Sequence, residues 1–221
     1  MQRHLVVMAR APQLGRVKQR LAQDIGAIAA TRFYRALLDE QLGRLARDRR
    51  WSLWLFITPD RAVAHPAWRV ARSVDVRGQG HGDLGRRMKR PFAVLPPGPL
   101  VLVGSDIPLM GRRHIWRAFR LLGRHELVFG PASDGGFWLV GARRSRPLPK
   151  TLFEGVRWST ADALADSLAT LPSHLSVGFA DTLDDVDDGA DYARYRAAVS
   201  LRSASSARTL ANTESQSPGR G

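Results

Sequence analysis

The chain has 221 residues, 44% of them hydrophobic and 24% charged, with no cysteine and a formal charge of +14. That length suits one globular domain with a substantial core, and the lack of cysteine excludes disulfides and thiolate metal sites and points to a reducing compartment. The charge invites polyanionic partners, but lysine occurs only at 18, 89 and 150, and the arginines are scattered rather than gathered on one helix with interleaved aromatics, so the pattern does not point to nucleic acid.

His4–Ala9 reads as a first buried strand, its apolar run too short for a signal peptide's apolar core. No segment approaches the ~20 apolar residues of a membrane span, so a cytoplasmic protein is expected. The loop Arg10–Lys18 follows. From Gln19 to about Arg47, apolar residues recur at three and four, which predicts a helix with an early break at Gly26. Ser52–Thr58 is a second strand and Val74–Gln79 a weaker third. The glycine-rich turn Gly78–Asp83 leads into a helix from Leu84 to about Leu95. Leu100–Val103 is an all-apolar run bounded by turn residues, as in a strand buried on both faces of a parallel sheet. A helix over Arg112–Leu122, a strand over Glu126–Gly130, a turn over Pro131–Gly136 and a strand over Phe137–Gly141 come next. Then follow a helix over Ser159–Leu171, a strand over His174–Phe179 and a helix from Asp188 to about Leu201. Strands alternating with helices predict a mostly parallel α/β sheet. Residues 202–221, rich in Ser, Ala and Thr, are expected as a disordered tail to a domain spanning 1–201.

Four stretches carry chemistry. Asp106 follows the run Leu100–Val103, which places it at the carboxyl edge of the sheet, where open α/β sheets bind ligands. There it can bind a divalent cation that holds a diphosphate, or merely shape a turn. The first loop sets Arg10, Arg16, Lys18 and Arg20 around Gly15, a composition that suits phosphate or a solvated basic turn; it has neither P-loop nor GxGxxG spacing. Ser133-Asp134-Gly135-Gly136 either lets backbone approach a ligand or is an Asp-Gly hairpin turn. Asp181–Asp191 holds six of the twenty acidic residues in eleven positions. Such carboxylates repel unless a cation or arginine neutralises them, although an acidic helix start also accounts for some. The histidines lack HExxH spacing and no GxSxG elbow occurs. Trp54, Trp116 and Trp138 read as core, and Trp158 as core or site.

Six motifs occur in order: ARAPxxGxVKxRL at Ala9–Leu21, QGxGDLGxRM at Gln79–Met88, GSDIP at Gly104–Pro108, GPAxDGGFWLVG at Gly130–Gly141, LFEGVRWST at Leu152–Thr160 and DDVDDGADY at Asp184–Tyr192. Together they resemble the bacterial glycosyltransferase-like proteins (DUF2064) of the GT-A, nucleotide-diphospho-sugar transferase superfamily, related to molybdenum-cofactor and phospholactate nucleotidyltransferases. The resemblance implies a three-layer α/β/α sandwich with nucleotide at the end of the first strand. It puts Asp106 where these enzymes carry a metal-binding Asp, here in a reduced Asp-X-Asp motif. Mg²⁺ or Mn²⁺ is then the expected cofactor, with Asp134 first and Asp187 second as the partner ligand. Asp106 and Asp134 are the implied catalytic residues. Arg10, Arg16, Lys18, Arg20, Gly82, Asp83, Gly135, Gly136 and Trp158 are the implied nucleotide and substrate contacts. Arg10 stands where the family pattern has lysine, and Gln19 where it has threonine. The implied reaction transfers a sugar from a nucleotide-diphospho donor to a small-molecule acceptor. The alternatives are nucleotidyl transfer with release of pyrophosphate, and a non-catalytic basic binding module on the same fold.

Overall fold

The computed structural model of the chain describes residues 1–65 and 74–200. Its strands are β1 (His4–Arg10), β2 (Ser52–Thr58), β3 (Asp75–Gly78), β4 (Leu100–Gly104), β5 (Leu127–Pro131), β6 (Phe137–Ala142) and β7 (Val177–Phe179). Its helices are α1 (Gln19–Ile25), α2 (Ala27–Ala46), α3 (Leu84–Val94), α4 (Arg112–Leu121), α5 (Ala163–Ala169) and α6 (189–200). The strands form one sheet in the order β3-β2-β1-β4-β6-β5-β7. Only β6 runs against the others, pairing antiparallel with β4 on one side and β5 on the other.

Strand residues alternate between two cores, because successive side chains point to opposite faces. Leu5, Val7, Leu55, Ile57, Val101 and Val103 pack with Leu38 and Leu42 of α2 and Ile115 and Phe119 of α4. Val6, Phe56, Leu100, Leu102, Phe129 and Val140 pack on the other face with Met88 and Phe92 of α3 and Ala163 of α5. Both faces are covered, which is why these strands are apolar throughout. The result is the expected three-layer α/β/α sandwich with a mostly parallel sheet. Among the described residues no helix is long and apolar enough to cross a membrane.

The long helical pattern breaks at Gly26 as expected, at a φ of 86° that only glycine adopts without strain. Other boundaries differ from the sequence reading. Asp60–Ala64, where the sequence reading placed no element, forms a short 3-10 helix. The helix expected over Ser159–Leu171 spans only Ala163–Ala169. Ser159 sits at φ 62°, outside helical space, and the Thr160 hydroxyl donates to Arg157 O at 2.8 Å, which closes a turn instead. The last strand shrinks to Val177–Phe179, where it pairs with β5. Residues 202–221, expected as a tail, lie outside the described residues.

Candidate active site

The site lies where four chain segments reach the same edge of the sheet. β1 and β4 pair in parallel, with Met8 opposite Gly104, so the loop after Arg10 and the loop after Gly104 emerge side by side. The chain leaves β1 towards β2 on one side, and β4 is followed by the strands on the other, so the crevice between them is a topological switch point. β5 and β7 run with β4, which brings the Ala132–Gly136 turn and the segment after Phe179 to this edge as well. Because β6 is reversed, its first residues, Phe137 and Trp138, also start here.

α2 braces the two central loops. Tyr34 is buried and its hydroxyl takes the Arg10 N–H at 3.0 Å, lies 3.0 Å from Arg10 O and lies 2.9 Å from Ser105 Oγ. Gln41 Nε2 donates to Ile107 O at 2.7 Å, and Arg44 Nη2 donates to Met110 O at 2.7 Å. Across the crevice, the buried Gln79 donates to Ala9 O and Phe56 O and accepts from Arg87 Nη1 at 3.3 Å.

Lys18 is the centre of the arrangement. Its backbone adopts φ 46°, ψ 52°, a left-handed conformation unusual for lysine, and its side chain is only 5% exposed. Nζ lies 2.7 Å from Asp106 Oδ2, 2.7 Å from Asp187 Oδ1 and 3.8 Å from Asp185 Oδ2. Burial pulls the lysine's affinity for its proton down, but the Asp106 and Asp187 carboxylates outweigh it and hold the ammonium well above its ordinary value. Asp185 is pushed up to about 7, by burial first and then by the charge of Asp106, against the pull of Lys18. Asp187 goes the other way: burial opposes its charge, but the ammonium and its hydrogen bond win and keep it below the usual carboxylate range.

One oxygen from each of Asp106, Asp185 and Asp187 falls within a 4.8 Å group. Three hard carboxylate oxygens already gathered around a cationic nitrogen are a donor set that fits Mg²⁺ or Mn²⁺. Asp134 lies outside this trio. Its Oδ1 accepts the Gly136 N–H at 2.8 Å, and its carboxylate borders a neighbouring cavity.

The acidic stretch thus divides its labour. Asp181 pairs with Arg117, and Asp184 accepts from Ser133 N at 2.8 Å, which ties down the Ala132–Gly136 turn. Asp188 and Asp191 bond each other's backbone at the start of α6. Asp185 and Asp187 alone face Lys18.

Two cavities meet at Asp106. The larger, about 640 Å³, is bordered by Arg10, Arg16, Lys18, Arg20 and Arg87. The smaller, about 190 Å³, is bordered by Phe137, Trp138, Trp158, Asp134, Gly136 and Asp185. Ser159 borders both.

The remaining sequence candidates have local partners. Asp83 caps α3, its Oδ1 accepting from Arg86 N at 2.7 Å, and Gly82 holds φ 106° just before it. Gly135 presses on the segment leading to α5: a Cβ there would lie 2.0 Å from Ala161 O, and its own carbonyl accepts from Leu164 N. Trp158 packs edge-on against Phe137 and Phe153. The sequence reading did not select Tyr34, Gln79, Arg87, Ser159 or, as a metal ligand, Asp185. Gln79 and Arg87 lie inside the QGxGDLGxRM motif and Ser159 inside LFEGVRWST, so the signal was present. Tyr34 lies in a helix outside all six motifs, where no local pattern marks it.

Solved structures share this fold. A protein from Desulfovibrio desulfuricans G20, provisionally named a nucleotide-diphospho-sugar transferase, is 28% identical, with a TM-score of 0.78 over 85% of this chain and 84% of its own. 4-Diphosphocytidyl-2C-methyl-D-erythritol synthase from Anaerococcus prevotii is 9% identical, with a TM-score of 0.61 over 90% and 96%. Rv0371c from Mycobacterium tuberculosis, in complex with manganese, is 20% identical, with a TM-score of 0.50 over 87% and 96%. No curated protein matches the chain. Residues 41–160, more than half of the chain, match the family described as "Uncharacterized protein conserved in bacteria (DUF2064)", and the chain belongs to that family.

Proposed function

We propose that this protein is a divalent-metal-dependent transferase that moves a sugar from a nucleotide-diphospho donor to a small-molecule acceptor. The observation that carries this reading is the meeting, at Asp106, of two cavities that share Phe137 and Trp138 but differ in charge, one bordered by five cationic side chains and the other by none. The larger offers arginine and lysine to a diphosphate. The smaller offers aromatic walls with a few polar groups, which suits a sugar ring, apolar on its C–H face and hydroxylated at its rim. The manganese in the Rv0371c complex agrees with a metal requirement.

In this reading Arg10, Arg16, Lys18, Arg20 and Arg87 bind the diphosphate, and Asp106, Asp185 and Asp187 hold Mg²⁺ or Mn²⁺. When bound, the cation neutralises the charge that develops on the departing nucleoside diphosphate. Asp134 borders the smaller cavity and takes the proton from the acceptor hydroxyl as its oxygen bonds to the anomeric carbon. Gly136 and Trp158 shape the sugar side, and Gly82, Asp83 and Gly135 hold the loops that frame it. Nothing in this scheme needs a compartment other than the cytoplasm.

A second reading, nucleotidyl transfer, has one observation of its own. Five cationic side chains border the larger cavity, Arg87 among them, which is enough to neutralise a triphosphate. Product analysis separates the two. The protein is incubated with Mn²⁺, a panel of sugar nucleotides or nucleoside triphosphates, and hydroxylated acceptors. Release of nucleoside diphosphate from a sugar nucleotide is the expected result. Pyrophosphate release with no turnover of any sugar nucleotide overturns it in favour of the second reading.

A further inference from the structure

We infer that Lys18 is the resident counter-ion of the carboxylate trio and couples metal binding to phosphate binding. The inference rests on the functional reading above and adds to it an order of events. Nζ sits 2.7 Å from Asp106 and 2.7 Å from Asp187, bonded to two of the three carboxylates a cation would need. An ammonium and a divalent cation cannot share that position, because like charges a few ångströms apart repel strongly where water is scarce. With Lys18 in place, the trio is a poor site for a metal on its own.

The same side chain borders the cavity that also carries Arg10, Arg16, Arg20 and Arg87. A phosphate chain entering there gives the ammonium an alternative anion. Once Lys18 bonds phosphate, the trio is free, and a cation added to it meets carboxylate and phosphate oxygens together. Each ligand removes the obstacle to the other, so the two bind with positive coupling, and by linkage the coupling is reciprocal.

The backbone supports such a device. Lys18 holds a left-handed conformation that is unfavourable for a non-glycine residue. That conformation directs the side chain inward, where its ion pairs offset the cost. Removing the ammonium leaves three carboxylates, one oxygen of each within 4.8 Å of the others, with the more distant charge of Arg20 acting on Asp187.

Calorimetric titration with Mn²⁺ alone, on wild type, Lys18→Met and Lys18→Gln, tests the inference, with inorganic pyrophosphate as the phosphate probe. Mn²⁺ alone is expected to bind both variants at least about tenfold more tightly than wild type. Pyrophosphate should tighten Mn²⁺ binding to wild type by a similar factor and leave the variants nearly unchanged. In chelator the variants should melt below wild type and recover with Mn²⁺. Mn²⁺ affinity that is equal or weaker in folded variants overturns the coupling, while the transferase reading stands as long as Mn²⁺-dependent binding of a sugar nucleotide persists in wild type. A wild type that binds Mn²⁺ neither alone nor with pyrophosphate overturns both.

Discussion

At Lys18 burial and charge pull in opposite directions, and the outcome sets the character of the site. A lysine this buried survives charged only because carboxylates from two distant segments reach it. Asp106 also borders both cavities. Asp106→Asn keeps the shape and an oxygen for Lys18 to bond but removes the charge a hard cation wants. It is expected to weaken Mn²⁺-dependent binding of a sugar nucleotide by about a hundredfold or more, read by calorimetry with and without chelator, while far-ultraviolet circular dichroism stays unchanged. Asp185 yields a pH signature. Its carboxyl is raised to about 7 when folded, against about 3.9 in the unfolded chain. Between those values the folded state binds the extra proton. The contribution of Asp185 to stability is therefore complete below the unfolded value and lost as pH rises through about 7. In chelator, the melting temperature of wild type relative to Asp185→Asn should fall as pH rises through that window. A difference that stays flat with pH would show that Asp185 titrates normally.

At the scale of the element, turns and caps decide where the site residues stand. Asp83 begins α3 with a side-chain bond to Arg86 N. Asp83→Ala should cost about 1 kcal/mol in urea unfolding, and Asp83→Asn much less, because asparagine caps nearly as well. If both variants weaken nucleotide binding equally, Asp83 contacts the ligand as well as the helix. Gly135 is held at φ 84° with Ala161 O directly in the path of a Cβ. Gly135→Ala should therefore destabilise the protein by at least about 2 kcal/mol and loosen the Ala132–Gly136 turn from α5, as hydrogen exchange at Leu164 N would report.

At the scale of the molecule, a formal charge of +14 acts against the compact state by self-repulsion. Some arginines pair with acids nearby in the chain, such as Arg50 with Asp48 and Arg157 with Asp166. Raising sodium chloride from about 10 mM to about 300 mM shortens the screening length severalfold and should raise the melting temperature. A fall instead would mean that the ion pairs, Lys18 with its carboxylates above all, outweigh the repulsion. The same positive field favours arrival of an anionic donor, so the association rate of a nucleotide should drop over the same salt range.

The sequence by itself determined the strands, the sandwich and the edge at which chemistry occurs. An unbroken apolar run such as Leu100–Val103 suits only a strand buried on both faces, and the Asp that follows must then stand at its carboxyl end. Short-range periodicity also found the helices over the cores and the break at Gly26, though not the left-handed Ser159, ahead of a helix that starts only at Ala163. What it did not determine was which carboxylates share Lys18. Asp106 and Asp187 lie 88 and 169 residues from it along the chain. Their meeting depends on β4 pairing beside β1 and on β7 pairing beside β5, contacts to which no local pattern is sensitive. The reversal of β6 is of the same kind: it places Phe137 and Trp138 at the cavities that Asp106 borders. The acidic stretch shows the limit most plainly. Its six aspartates look alike in sequence, and only their tertiary partners separate the two that face Lys18 from those that tie turns, pair with arginine or start a helix.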